Sequence, residues 1–109
     1  MKYALLLWDN PDAWEKVSEA DVLSMREEYM AVPSYGGAQL HPAPAGKTLR
    51  FADGKPLVTD GPFAETKEVV SGLYLVDADS EEEALRIAAT IPTASRMGGV
   101  IEVRQIVER

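Results

Sequence analysis

The amino-acid sequence predicts one α+β domain over residues 1–109, a two-layer βαββαβ sandwich with an extra β-hairpin. Three observations predict it. Apolar strand-like runs alternate with two capped helical segments, an Asp-Gly pair separates two short strand-like runs, and no linker divides the chain. A chain of 109 residues supports one hydrophobic core. Both helices are therefore expected on the same face of an antiparallel sheet, in a split β-α-β arrangement.

The first part of the chain predicts a strand followed by a helix. Residues 1–8 form an apolar run typical of a buried strand, and residues 9–17 follow as a turn and a connector. Ser18 with Asp21 three residues later is typical of a helix start. The helix ends at Pro33. Its apolar stripe consists of Val22, Met25, Tyr29 and Val32.

The middle of the chain predicts a short strand and a hairpin. Residues 38–41 can form the short strand, and residues 42–46 are irregular. Residues 48–51 and 55–59 flank Asp53-Gly54, and an Asp-Gly pair between two such runs indicates a tight β-turn. We therefore expect a β-hairpin here.

The last part of the chain predicts a strand, a helix and a final strand. Residues 69–76 form the first of these strands. Ser80 precedes a fully acidic first turn, which favours a helix start, and Pro92 is expected to end that helix. A loop over residues 93–99 then leads to a strand over residues 100–107. The apolar stripe of the helix consists of Ala84, Ile87, Ala88 and Ile91.

Apolar side chains occupy both faces of the predicted first strand. Leu5 and Leu7 alternate with Leu6 and Trp8. Helices can cover only one of these faces, and an uncovered apolar face is unfavourable in water. We therefore expect a homodimer in which a second subunit covers the other face.

Charge and composition exclude several classes of function. The formal net charge of −7 argues against nucleic acid and against anionic membrane surfaces as partners. With no cysteine and one histidine, neither a metal site nor another cofactor is predicted. No apolar run approaches the roughly 18 residues of a membrane span, and the run Tyr3–Trp8 is too short for a signal peptide. We expect a cytoplasmic protein.

The segment Asp60–Glu68 contains the most unusual chemistry of the sequence. Three carboxylates, an ammonium group and a hydroxyl surround a Gly-Pro pair. Phe63 can anchor this loop in the core, and Lys67 can neutralise a neighbouring acid. The loop can bind a polar ligand, or it can be a structural turn. The candidate ligand-binding residues are Asp60, Gly61, Pro62, Phe63, Glu65, Thr66, Lys67, Glu68 and Arg50.

The string Asp60-Gly61-Pro62-Phe63 with the following Ala-Glu-Thr-Lys-Glu resembles the DGPF signature of the YCII-related proteins. The resemblance covers the whole chain. Other matching segments are Met1–Tyr3, Leu5–Leu6, Arg50, Asp53–Lys55, Val58–Thr59, Gly72–Tyr74, Gly98–Gly99 and Ile101–Arg104. The resemblance implies a bacterial protein of ferredoxin-like fold, assembled as a dimeric α+β barrel. It also implies a link to extracytoplasmic-function sigma factors.

The catalytic pattern of some relatives is not carried over. The resemblance implies that some relatives are enzymes built around a His–Asp pair in the dimer cleft, with the histidine in the first helix. Residues 18–32 of this chain contain no histidine. Of that site, only Asp60 and Glu65 keep a carboxylate near the Gly-Pro pair.

Two functions follow from these observations. The favoured one is a small-molecule-binding or regulatory accessory protein with a cleft at the Asp60–Glu68 loop. The alternative is a cofactor-independent enzyme in which Asp60 or Glu65 acts as acid or base and His41 assists. His41 can equally be a solvated surface side chain. The aromatic residues Trp8, Trp14, Tyr29 and Tyr74 can line a pocket or belong to the core and a subunit interface.

Overall fold

A four-stranded antiparallel sheet and a separate hairpin carry the fold in the computed structural model, which describes residues 1–109. The strands are β1 (Lys2–Asp9), β2 (Gly36–Gln39), β3 (Lys47–Ala52), β4 (Lys55–Asp60), β5 (Val69–Asp77) and β6 (Val100–Gln105). The helices are α1 (Pro11–Trp14), α2 (Glu19–Met30), α3 (Glu81–Ala88) and α4 (Pro92–Ser95), with a 3₁₀ turn at Ala43–Ala45. The sheet order is β2-β5-β1-β6, and β3 pairs only with β4.

This arrangement confirms the predicted α+β class and is consistent with a ferredoxin-like fold. β1 lies inside the sheet and pairs antiparallel with both β5 and β6. Its side chains alternate between two environments. Tyr3, Leu5 and Leu7 are buried under the helices, while Leu6 and Trp8 on the opposite face are half-buried. The buried core consists of Tyr3, Leu5, Leu7, Val32, Val76, Ala78, Ala84, Ala88 and Ile91.

The two predicted helix starts are confirmed by their caps. The Ser18 hydroxyl accepts a hydrogen bond from the Asp21 amide at 3.1 Å, and the Ser80 hydroxyl accepts one from the Glu83 amide at the same distance. Each cap satisfies an amide that the helix itself leaves unpaired. The stripe of α2 is narrower than expected, because Val22 is 41% exposed.

Two short helices are missing from the sequence prediction. α1 begins with Pro11 inside the predicted turn and connector, and α4 begins with Pro92 inside the predicted loop. Proline suits the first turn of a helix because its missing amide would be unpaired there. Pro92 therefore starts α4 rather than ending α3, which already ends at Ala88.

The predicted hairpin is confirmed, and it projects from the body of the molecule. Asp53 and Gly54 have φ values of 52° and 76°, and two positive φ values are what a type I′ turn requires. Almost every side chain of β3 and β4 is exposed. The radius of gyration is 15.8 Å, whereas a compact domain of this length has about 13 Å.

The molecule is a slab only 18 Å thick, the thickness of one sheet and one helical layer. The sheet face without helices is called the open face. Its apolar residues include Ala4, Leu6, Trp8, Leu73, Leu75 and Val100. None of the helices combines the length and the apolar character that spanning a bilayer needs.

Candidate functional site

A cleft of about 950 Å³ opens between α2 and the sheet, and we call it the aromatic cleft. Aromatic side chains from three elements line it: Trp14, Tyr29 and Tyr74. Gly37 and Gly72 also line it where β2 and β5 run close together. A Cβ atom on either glycine would lie within 3.0 Å of the neighbouring main chain, at 2.5 Å and 2.8 Å respectively. The glycines therefore allow the close approach of the strands that close one side of the cleft.

Asp9 is the buried charged group of the aromatic cleft. It lies at the end of β1 in the same alternation as Leu5 and Leu7, so its side chain points to the helical face and is 7% exposed. The Trp14 indole Nε1 donates a hydrogen bond to Asp9 Oδ2 at 3.1 Å. This contact exists because α1 follows β1 directly and turns Trp14 back over the strand end. None of the five ion pairs of the chain includes Asp9.

A chain of hydrogen bonds fixes the two tyrosines of the cleft. The hydroxyl oxygens of Tyr29 and Thr93 lie 2.7 Å apart, and Thr93 is fully buried in α4. The Tyr74 hydroxyl donates to the Tyr29 carbonyl oxygen at 2.9 Å. The Trp14 and Tyr29 rings are 6.4 Å apart with an interplanar angle of 33°. The aromatic walls are thus held in place by polar contacts behind them.

The pKa values of both cleft tyrosines are raised above the ordinary 10.0. For Tyr29 the largest cause is burial, which disfavours the phenolate, and the negative charge of Asp9 raises the pKa further. For Tyr74, burial again raises the pKa most, followed by the neighbouring Tyr29. Both phenols therefore stay protonated at neutral pH and can act only as neutral groups.

This predicts a distinct alkaline titration. The phenolate absorbance of Tyr29 and Tyr74 should appear only above the ordinary pKa of 10.0, and Tyr29→Phe and Tyr74→Phe should each remove part of this delayed absorbance. Since the folded state holds the protonated phenols, their contribution to the free energy of unfolding is present below pH 10 and lost as pH rises through the raised pKa values. Tyr35→Phe, at an exposed position, is the control. If Tyr29→Phe and Tyr74→Phe left the delayed absorbance unchanged, this assignment would be contradicted.

The Asp60–Glu68 loop borders a second, more polar cleft of about 710 Å³. Six of its residues line that cleft: Asp60, Gly61, Pro62, Glu65, Thr66 and Lys67. Pro11 and Val69 line both clefts, so the two adjoin. The structure therefore places the loop beside the aromatic cleft rather than inside it.

The start of the loop closes the base of the hairpin. Lys47 Nζ donates to the carboxylate of Asp60, and both side chains are exposed. Gly61 has a φ of 86°, and its amide donates to the Gly46 carbonyl at 2.8 Å. The Gly61 carbonyl accepts from the Thr48 hydroxyl at 2.8 Å. These contacts are typical of a structural turn. The cation that pairs with Asp60 is Lys47 and not Lys67.

The rest of the loop is exposed. Phe63 is 79% exposed, so the expectation that it anchors the loop in the core is wrong. The Arg50 guanidinium lies 5.7 Å from the centre of the Phe63 ring instead. The Thr66 hydroxyl donates to the Glu68 carbonyl, which is a local turn contact. The remaining exposed loop residues are Pro62, Ala64, Glu65, Lys67 and Glu68.

His41 is exposed and lines neither the aromatic cleft nor the loop cleft. The structure therefore brings together Asp60 and Glu65 at the loop cleft, but not the imidazole that the enzyme hypothesis adds to them. Asp9, Arg26 and Thr93 are polar residues of the cleft that the sequence did not single out. The signal for Asp9 was present, because it continues the inward alternation of Tyr3, Leu5 and Leu7.

Comparisons with known proteins agree with one another. The whole chain, residues 1–109, matches the YCII-related domain. An uncharacterised protein of Rhizobium meliloti (strain 1021) is 37% identical over 114 residues, covering 97% of this chain and 92% of the relative. Both matches extend over the aromatic cleft and the loop. The chain therefore belongs to the YCII-related family.

Proposed function

We propose that this protein binds a small organic molecule in the aromatic cleft. The observation that carries the proposal is the composition of that cleft: a volume of about 950 Å³, mostly apolar walls, and a buried carboxylate at Asp9. Sites for small molecules are concave and largely apolar, with a few fixed polar groups that orient the ligand. The hydrogen bonds behind Tyr29 and Tyr74 supply that rigidity.

In this proposal the Asp60–Glu68 loop borders the site, as expected for the DGPF branch of the family. Its cleft adjoins the aromatic cleft at Pro11 and Val69, so a ligand with a polar extension can reach Glu65, Thr66 and Lys67. The accessory or regulatory role, the link to sigma factors and the cytoplasmic location belong to the same proposal. They rest on the sequence resemblance and on composition.

Acid–base catalysis at the loop receives less support. A catalytic carboxylate is usually tuned by burial or by a nearby charge. Asp60 is exposed and already paired with Lys47, and Glu65 is exposed. His41 lies outside both clefts. Binding without chemistry is therefore the function that the geometry favours.

We further propose that two copies of the chain pair through their open faces in a dimeric α+β barrel. Supporting this, Leu6 of β1 lies directly opposite Leu73 of β5, and Trp8 extends the same apolar surface. A monomeric slab would leave these side chains against water, which is unfavourable for a patch of this extent. Light scattering should give twice the chain mass at micromolar concentration, and a monomer would refute the pairing.

Binding in the aromatic cleft is tested with 2-phenylethanol, a neutral aromatic probe. The indole N–H resonance of Trp14 should shift on titration, while that of Trp8 on the open face is the internal control. Val22→Phe puts a larger side chain into the cleft lining and should weaken binding at least tenfold. Leu23→Phe is the matched control, because Leu23 is exposed and does not line the cleft. A shift of the Trp8 resonance alone would overturn the proposed location.

A further inference from the structure

Asp9 is a buried carboxylate without a cationic partner. It is 7% exposed, and no lysine, arginine or histidine side chain forms an ion pair with it. Buried charges in proteins are normally paired, because removal from water is costly without compensation. A cation that enters the cleft would supply the missing partner.

We propose that the ligand of the aromatic cleft is a small aromatic amine, whose ammonium group pairs with Asp9 and whose ring packs against Trp14 and Tyr29. This assignment rests on the proposed function, since it names the class of molecule bound at the same site.

The hydrogen-bonding capacity of Asp9 is only partly used. Its Oδ2 accepts from Trp14 Nε1, and its Oδ1 has no partner within the chain. An ionised carboxylate can accept up to about four hydrogen bonds. No buried side-chain oxygen or nitrogen of the protein lacks both a partner and solvent contact. Because Asp9 lines the cleft, Oδ1 is reached from that space and is available to a donor.

The hydroxyl groups of the two cleft tyrosines are already engaged. The Tyr29 hydroxyl is bonded to Thr93, and the Tyr74 hydroxyl donates to the Tyr29 carbonyl. The tyrosines therefore offer ring surface rather than free hydroxyls. Aromatic faces attract ammonium groups and stack on aromatic ligands. A ligand with an ammonium group beside Asp9 and an aromatic ring against the cleft walls therefore fits both the carboxylate and the aromatic side chains.

Arg26 carries a positive charge that would repel an ammonium group in the cleft. It lines the cleft, is exposed, and forms no ion pair. An exposed guanidinium is screened by water and salt, whereas the buried Asp9 is screened far less. We therefore expect Asp9 to determine the charge of the ligand, and an anionic ligand held by Arg26 is the competing outcome.

Three probes with the same ring separate these outcomes in calorimetric titrations of the parent protein at one salt concentration. They are 2-phenylethylammonium, the neutral 2-phenylethanol and the anionic 3-phenylpropanoate. We expect the ammonium probe to bind at least tenfold more tightly than the alcohol, and the anion to bind most weakly. Equal affinities, or tightest binding of the anion, would overturn the amine assignment and leave small-molecule binding intact. If none of the three binds, the proposed function itself fails.

Asp9→Asn tests the role of the carboxylate directly. Asparagine keeps an oxygen that can accept from Trp14 Nε1, and it removes the charge. The variant should lose at least tenfold in affinity for the ammonium probe and keep its affinity for the alcohol. Asp12→Asn, an exposed acid in α1, is the matched control and should change neither. If the Asp9→Asn variant folds and binds the ammonium probe as tightly as the parent protein, the proposal is refuted. If the variant does not fold, the three probes on the parent protein test the proposal instead.

Discussion

Leu5→Ala is expected to lower the free energy of unfolding by about 3–4 kcal/mol. Leu5 lies in β1 between β5 and β6, it is fully buried, and it belongs to the single core of the slab. Truncation removes its apolar surface and leaves a cavity that the flanking strands cannot close, because their hydrogen bonds fix their spacing. Chemical denaturation at fixed protein concentration measures the loss.

The matched control for Leu5→Ala is Leu23→Ala in α2. Leu23 is 62% exposed, so its truncation removes little buried surface, and alanine favours a helix. We expect a change within about 0.5 kcal/mol. Similar losses in the two variants would show that the core does not lie where the structure places it.

Gly37→Ala is expected to lower the free energy of unfolding by about 2–3 kcal/mol and to open the aromatic cleft. Gly37 has a φ of 153°, at the limit of the region that favours glycine, and an added Cβ would lie 2.5 Å from the Leu73 carbonyl oxygen. The atom it meets is main chain of the neighbouring strand, so β2 must move away from β5. The affinity for 2-phenylethanol, measured from the shift of the Trp14 indole N–H resonance, should fall together with stability.

Gly36→Ala is a closely matched control, one residue earlier in the same strand. A Cβ there would meet Leu75 Cδ1 at 3.5 Å, which is ordinary van der Waals contact, and the φ of Gly36 is not positive. We expect stability and probe binding to change little. Equal losses for both variants would show that the close approach at Gly37 is not the cause of the loss.

Local chemistry explains which parts of the fold were predictable. The serine caps of α2 and α3 and the Asp53-Gly54 turn each depend on a few neighbouring residues, and the structure confirms all three. α1 and α4 are single turns that begin with proline. A proline near a turn indicates the end of a helix as readily as its start, so periodicity could not reveal them.

The candidate site was harder to predict because it depends on contacts distant in sequence. Thr93 meets Tyr29, 64 residues away, and no local pattern indicates that pair. Asp9 was predictable, since strand alternation already assigns its side chain to the helical face of the sheet. The Asn-Pro pair that follows Asp9 favours a turn, and this local signal competes with the strand alternation. The Asp60–Glu68 motif is conspicuous in the sequence because of its charge, whereas the buried carboxylate of Asp9 lies outside it.

The position of β1 in the sheet has a consequence for synthesis on the ribosome. β1 is the first of the strands to be made, whereas its flanking strands β5 and β6 begin about 60 and about 90 residues later. At ordinary rates of translation the delay before β5 is roughly 3 to 12 s. During that interval the segment Tyr3–Trp8 has neither of its partners and is an apolar stretch available to a chaperone or to a second nascent chain. The four-stranded sheet is therefore complete only after β6 has left the ribosome.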